Sequence, residues 1–359
     1  MNITDLLRHA LESEASDLHI VAGIPPSLRI DGEIQFLDAE PLSGNDTRAM
    51  IMALLNDQQR DRLEHERQLD FSFQLPEVGR FRTSLYFARG ELEGSFRVVP
   101  PRLKSLHELN LPKVVERLAS CPSGLVLVTG PTGVGKTTTM NAMIEMINND
   151  RRVRIITIED PIEFVHPHRR SVIIQRELDS DTLSFRSALI AALRQDPNII
   201  CIGEMRDLET ISTALTAAET GHLVISTLHT QSATQTIDRI IDVFPAHQQA
   251  QVRMQLANTL QGVICQQLLP LVGERGRVLA YEVLVATPAI RSLIREGKLQ
   301  QVPNCITTGR EEGMLLMDRC IRTLYEQGVI SYDTAVSRCH DPITFKSLND
   351  GYARRDWSA

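Results

Sequence analysis

The sequence predicts an α/β protein in which a mostly parallel sheet is wrapped by helices, preceded by a smaller α+β domain. Three observations predict it. From about residue 111 to residue 285, short apolar runs alternate with amphipathic stretches, the pattern of successive βαβ units. A glycine-rich segment ending in Gly135-Lys136-Thr137 sits between one such apolar run and a helical stretch, the context of a phosphate-gripping turn. Before residue 100 short strand-like and helical segments alternate instead, with a clean period of two from Gly79 to Arg89, and Pro100-Pro101 closes that region, as a linker would.

The first domain, residues 1–100, opens with mixed helical and strand-like segments. Ser27 to Gln35 reads as a hairpin, because Asp31-Gly32 tolerates the positive φ angles of a two-residue turn. From Gly79 to Arg89 the alternation is clean: Phe81, Thr83, Leu85 and Phe87 share one face, and Arg80, Arg82, Ser84 and Tyr86 the other. Gly90 to Gly94 is expected to turn the chain into a second strand, Ser95 to Val99. Residues 101–110 form the linker. No catalytic motif lies wholly in this domain.

The core, residues 111–285, offers five strands: Leu125–Thr129, Val153–Ile158, Ile199–Ile202, Leu223–Thr227 and Leu279–Leu284. Between them, Ser184–Arg194 places Phe185, Ala188, Leu189 and Ala192 on one helical side. A second helix, Leu208–Thr220, is expected to stop at Gly221, a residue suited to the left-handed position after a helix. After residue 286 the strands cease, and residues 286–359 read as helical with a frayed end carrying Trp357.

Composition narrows the function classes. Of 359 residues, 23% are charged and 42% apolar, ordinary for a globular protein and unlike a disordered chain or a membrane bundle. No apolar run approaches the ~20 residues of a bilayer span, and the acidic start with Asp5, Glu12, Glu14 and Asp17 does not read as a secretory signal. Six scattered cysteines without a C-x-x-C pair argue against a zinc or disulfide framework and for a reducing compartment. A net charge of −7 argues against non-specific nucleic-acid binding.

The chemistry concentrates at strand ends. Gly130-Pro131-Thr132-Gly133-Val134-Gly135-Lys136-Thr137-Thr138 fits G-x-x-x-x-G-K-[ST]. Its glycines let successive N–H groups and a helix N-terminus converge on one anion. Lys136 would reach the β- and γ-phosphates of ATP, and the Thr137 hydroxyl would ligate Mg²⁺. Hydrolysis also needs carboxylates. Ile155 to Ile158 runs into Glu159-Asp160-Pro161-Ile162-Glu163, where the proline is expected to gather the acids in a loop. Ile199 to Ile202 runs through Gly203 into Glu204, a Mg²⁺-organising acid. His222 and His229 bracket the strand between them; His229, at its carboxyl end, suits γ-phosphate sensing. His166-Pro167-His168 reads as an exposed loop.

Together these stretches resemble the secretion and type IV pilus ATPase superfamily, and within it the PilT-type retraction ATPases. Ser16 to Ile20 and Pro25 to Gly32 look like the N-terminal signature, and Thr157 to Phe164 like the Asp box. Gly203-Glu204-Met205-Arg206-Asp207 is similar to the Walker B segment, and Thr220 to Thr230 to the His box. Ala289-Ile290-Arg291-Ser292-Leu293-Ile294-Arg295-Glu296 resembles the AIRNLIRE motif of retraction motors, with Ser292 in place of Asn. The resemblance implies a PAS-like N-terminal domain, a RecA-like ATPase core and a homohexamer. It implies Glu163 as general base with Glu159 its competitor, and Glu204 holding Mg²⁺ in part through water. Arginines from a neighbouring subunit would reach the γ-phosphate, with Arg80, Arg82 and Arg97 as candidates. An inner-membrane pilus platform protein and a paralogous retraction ATPase are the implied partners, at the cytoplasmic base of the pilus, without nucleic acid or membrane insertion. The alternatives are a PilU-like accessory ATPase, an extension or type II secretion ATPase, and more distantly a RecA-like nucleic-acid translocase.

Overall fold

The computed structural model describes residues 2–30, 32–99, 102–273 and 276–342. The chain divides into two compact units. The first comprises Met1–Leu103 together with Pro161–Val165, and the second Lys104–Asp160 together with His166–Ala359. The turn residue Asp31, the Pro100-Pro101 pair and the Trp357 tail lie outside the described residues.

In the first unit, α1 (Ile3–Glu12) is followed by β1 (Asp17–Ile20), β2 (Ser27–Ile30) and β3 (Glu33–Phe36). Then come α2 (Gly44–Met52), α3 (Asp57–Glu66), β4 (Gln68–Leu75), β5 (Gly79–Ala88) and β6 (Glu91–Val99). The strands form one antiparallel sheet in the order β3-β2-β1-β6-β5-β4. Ile3, Leu6, Leu7 and Ala10 recur at helical spacing on α1 and are buried, joining Phe81, Leu85 and Phe96 in the core. The period-two face of β5 is as expected, with Phe81, Thr83 and Leu85 buried.

The turn before β6 is tighter than expected. Arg89 and Gly90 have φ of 53° and 88°, a two-residue hairpin turn, and β6 begins at Glu91. Gly94 therefore lies inside the strand and does not turn the chain. A Cβ there would stand 2.9 Å from Leu85 Cδ2 and 3.0 Å from the Phe96 ring, so the glycine makes room for the core.

The second unit contains α4 (Lys113–Ala119), β7 (Gly124–Thr129), α5 (Lys136–Asp150), β8 (Arg154–Glu159), β9 (Val172–Glu177) and α6 (Phe185–Ala192). It continues with β10 (Ile199–Ile202), α7 (Leu208–Glu219), β11 (Leu223–Leu228), α8 (Ala233–Asp242), α9 (Ala246–Thr259), β12 (Leu260–Pro270) and β13 (Arg277–Val285). The last helices are α10 (Pro288–Glu296), α11 (Val302–Thr308), α12 (Met317–Glu326) and α13 (Tyr332–Arg338).

The sheet order is β13-β12-β7-β11-β10-β8-β9. Six strands are parallel and β13 pairs antiparallel with β12, making the sheet mixed. Leu125 and Leu127 of β7 face the layer of α6 to α10, while Val126 and Val128 face α4 and α5. A strand buried on both faces reads as a near-continuous apolar run, which is why β7, β10 and β11 were legible, with buried Thr129, Ser226 and Thr227 only toward the carboxyl ends of β7 and β11.

Two strands of this sheet went unforeseen. In β12 the pair Gln266-Gln267 interrupts the apolar run, and the strand follows α9 with no intervening turn residue. The edge strand β9 ends in Gln175-Arg176-Glu177. Helix α7 stops where expected, with Gly221 at φ 103°. In the AIRNLIRE-like helix α10, Ile290 and Ile294 are buried. Arg291 donates to the carbonyls of Ala257 at 2.6 Å and Asn258 at 2.8 Å, closing the C-terminus of α9.

Candidate functional site

The carboxyl ends of β7, β8, β10 and β11 carry the candidate residues of the second unit, where a parallel sheet presents ligand-binding loops. The loop after β7 folds as the glycines require. Gly130, Gly133 and Gly135 have φ of 139°, 80° and 88°. A Cβ on Gly130 would stand 2.3 Å from the Gln266 carbonyl oxygen, so β12 closes one side of the loop. Helix α5 starts at Lys136. Its N-cap, Gly135, supplies no side-chain acceptor, and the first turn has no acidic residue. Its leading N–H groups are thus suited to an outside anion.

Lys136 is buried, and its Nζ donates to the carbonyls of Gly130 at 2.7 Å and Pro131 at 2.9 Å. The same Nζ stands 3.5 Å from His229 Nδ1. On the other side of that ring, Nε2 lies 3.2 Å from Glu204 Oε2. An ammonium only donates and a carboxylate only accepts; these partners assign the proton to Nε2 and leave Nδ1 as acceptor. The Glu204 side chain is 15% exposed and also meets Arg206 Nε at 2.6 Å. Asp207, next along, caps α7 through Thr210. Burial disfavours its charge, but hydrogen bonds from Thr210 outweigh that and hold its carboxyl below the ordinary range.

The acids after β8 do not gather in one loop. Glu159 is the last residue of β8 and only 2% exposed. Its Oε1 accepts from Thr157 Oγ1 at 2.6 Å and Gln175 Nε2 at 3.0 Å. Glu163 belongs to the first unit, half-exposed, with Arg82 Nη1 3.8 Å away. Arg80 Nε donates to the Ile162 carbonyl at 3.0 Å, and Arg80 also bonds Ser72. Arg97, 65% exposed, pairs with Asp17 at 2.9 Å. All three candidate arginines thus have partners within the first unit.

The two other histidines divide. His222 Nδ1 lies 3.0 Å from the Ala217 carbonyl and 3.2 Å from Thr220 Oγ1, a contact at the end of α7. His166 is buried, contrary to the exposed loop expected of it. Its Nε2 lies 2.8 Å from Asn141 Oδ1 and its Nδ1 3.3 Å from Glu145 Oε2, both on α5.

Among the described residues no three His, Cys, Asp or Glu side chains converge on a metal site. Mg²⁺ needs no such cluster, being held through one or two protein ligands, waters and substrate phosphates. Thr137, half-buried in the first turn of α5, and Glu204 are the groups that fit. A cavity of about 910 Å³ lies instead among Glu282, Arg310, Arg319 and His340, and none of the phosphate-loop residues lines it.

The model of the type II/IV secretion system protein family matches residues 1–333. The chain belongs to the GspE/PilT family of secretion ATPases. A Pseudomonas aeruginosa protein named type IV pilus retractation ATPase PilT is 48% identical over 345 residues, covering 96% of this chain and 100% of its own length. A Neisseria gonorrhoeae twitching motility protein is 44% identical, over 95% of this chain and 91% of its own. The crystal structure of the pilus retraction motor PilT with bound ADP superposes with a TM-score of 0.91 at 47% identity, covering 97% and 99% of the two chains. The core is accordingly a RecA-like P-loop NTPase fold, and this family member hydrolyses ATP.

For a member of the GspE/PilT family, three polar residues at this site were not singled out from sequence. Arg206 sits in the Walker B-like stretch, but nothing in its spacing shows that it turns back onto Glu204. Thr157 and Gln175 lie inside strands β8 and β9, and only the pairing Thr157↔Gln175 brings both to Glu159.

Proposed function

We propose that this chain is the hexameric, ATP-hydrolysing motor that retracts type IV pili and so drives twitching motility. The observation that carries it is the near-full-length kinship to proteins so named, in a chain whose phosphate loop reaches Glu204 through Lys136 and His229. Residues 130–138 bind ATP, with Thr137 and Glu204 as the Mg²⁺ ligands, Glu204 in part through water. Bound Mg²⁺ supplies charge neutralisation between the β- and γ-phosphates. Lys136 exchanges its contacts with the Gly130 and Pro131 carbonyls for phosphate oxygens. His229 relays the γ-phosphate state to Glu204.

Of the two candidate general bases, Glu163 and its competitor Glu159, this reading takes Glu159. The burial of Glu159 and its two side-chain donors favour the competitor, because a base must be held in place. Arg80, Arg82 and Arg97 serve the neighbouring subunit's γ-phosphate, for which each releases its present partner. Residues 1–100 are a PAS-like domain, 101–110 the linker, 111–285 the ATPase core and 286–359 the helical C-terminal segment. The motor works on the cytoplasmic side at the pilus base, on an inner-membrane platform protein and beside a paralogous retraction ATPase. No described helix is long and apolar enough to cross a membrane.

A PilU-like accessory role is the second reading; the Met205-Arg206-Asp207 stretch and the AIRNLIRE-like helix favour the principal one. Deleting the gene in its host tests the assignment. Excess surface pili without twitching, restored by the wild-type chain but not by Lys136→Ala, is the expected outcome. Bald cells would mean an extension or secretion ATPase.

A further inference from the structure

The side chain of Gln175 joins two places that the sequence keeps apart. Its Nε2 donates to Glu159 Oε1 at 3.0 Å, and its Oε1 accepts from the His166 backbone N–H at 2.8 Å. The orientation of the amide follows from its partners, since a backbone N–H only donates and an ionised carboxylate only accepts. His166 is where the chain re-enters the second unit after residues 161–165. Its ring is held by Asn141 and Glu145 of α5, the helix that begins in the phosphate loop. Arg169 also pairs with Glu145, at 2.9 Å.

We propose that Gln175 is a positioning residue for ATP hydrolysis, setting the Glu159 carboxylate with one arm of its amide and clamping the His166 re-entry point with the other. The inference rests on the placement of Glu159 in the hydrolytic site given above. A plain role in gluing edge strand β9 to the sheet is already met by the backbone ladder from Arg154↔Val172 to Glu159↔Glu177. The side-chain bridge is additional to that ladder. Glu159 is buried, so losing one of its donors leaves the carboxylate both less stabilised and freer to rotate.

The experiment uses the full-length assembled protein with Gln175→Met, Gln175→Glu, Glu159→Gln and the double variant Glu159→Gln/Gln175→Met. Gln175→Glu keeps an acceptor for the His166 N–H and replaces the amide donor to Glu159 with a second carboxyl, which repels it or shares its proton. Both Gln175 variants should lose roughly 10- to 100-fold in kcat, the scale of a hydrogen bond to a charged group, with KM for Mg-ATP and ADP affinity little changed. Glu159→Gln should lose activity by itself, and adding Gln175→Met should lower it little further, because the first change already removes the group through which Gln175 acts. Without nucleotide, amide exchange at His166 should quicken in Gln175→Met and stay slow in Gln175→Glu.

Wild-type kcat in both Gln175 variants overturns the proposal, and so do losses that multiply in the double variant or unchanged exchange at His166 in Gln175→Met. Wild-type turnover in Glu159→Gln would instead overturn the underlying placement of Glu159, and the positioning role with it. Should Gln175→Met fail to fold, Gln175→Glu alone decides: full kcat refutes the role, and a loss that vanishes in the Glu159→Gln background supports it.

Discussion

His229 and Glu204 meet at 3.2 Å, Nε2 to Oε2, so the residue after β11 is bonded to the acid after β10 across two neighbouring strand ends. With Lys136 on the other ring nitrogen, the imidazole is a bridge between the phosphate-loop cation and the Glu204 carboxylate.

His229→Ala should therefore leave ADP binding within a few-fold of wild type and lower kcat by roughly 10²-fold, the scale of removing one positioned electrostatic group. Glu204→Gln should likewise bind nucleotide and fail to hydrolyse it. Steady-state ATPase assays beside fluorescent-ADP titration check both. Equal turnover in His229→Ala and wild type would remove the bridge from the mechanism.

The Arg82–Glu163 pair is nearly half-exposed on both sides, at 3.8 Å. Solvent-exposed pairs of this kind contribute at most about 1 kcal/mol, so Arg82→Ala should cost little thermal stability. If Arg82 serves a neighbour, turnover of the Arg82→Ala hexamer should fall by on the order of 10³-fold or more. Rings mixed from Arg82→Ala and Lys136→Ala subunits should regain activity wherever an intact arginine faces an intact phosphate loop. Mixed rings as inactive as their parents would sink the assignment in trans.

Burial lowers the pKa of His166 below its ordinary 6.5, with the nearby Glu145 only partly opposing the shift. The unfolded chain then takes up the proton more readily than the native one. Stability from this residue is therefore fully present above about pH 6.5 and is lost as pH falls from there toward the depressed native pKa. Chemical denaturation midpoints measured between pH 7.5 and 5.5 should decline, and His166→Gln should flatten that part of the decline. An unchanged slope in the variant would assign it to other groups.

How much of this was legible depended on whether a residue's job is local. The phosphate loop is local: strand, glycines, lysine and helix follow one another in a single run, and Leu125 to Ile147 folds as it reads. Strands β7, β10 and β11 announced themselves because burial on both faces makes most of their positions apolar. Strand β12 did not, since Gln266 is buried for a partner 127 residues away, donating to Thr139 Oγ1 at 2.7 Å. His166 looked like a loop residue for a similar reason, as its partners on α5 lie more than twenty residues upstream. Gly94 looked like a turn because a glycine that yields space to Leu85 and Phe96 is indistinguishable, by type alone, from one that supplies a positive φ. The acids at 159 and 163 were legible as a pair, but not that they belong to different compact units.

That division has a consequence for taking the molecule apart. The polypeptide passes between its two halves three times, near residues 103, 160 and 165. A single cut after residue 103 would not release an intact N-terminal piece. The five residues Pro161–Val165 would stay on the far fragment, stranding Ile162, whose carbonyl Arg80 holds, without its packing. The front half is thus better dissected by side-chain substitution in the whole chain than by truncation.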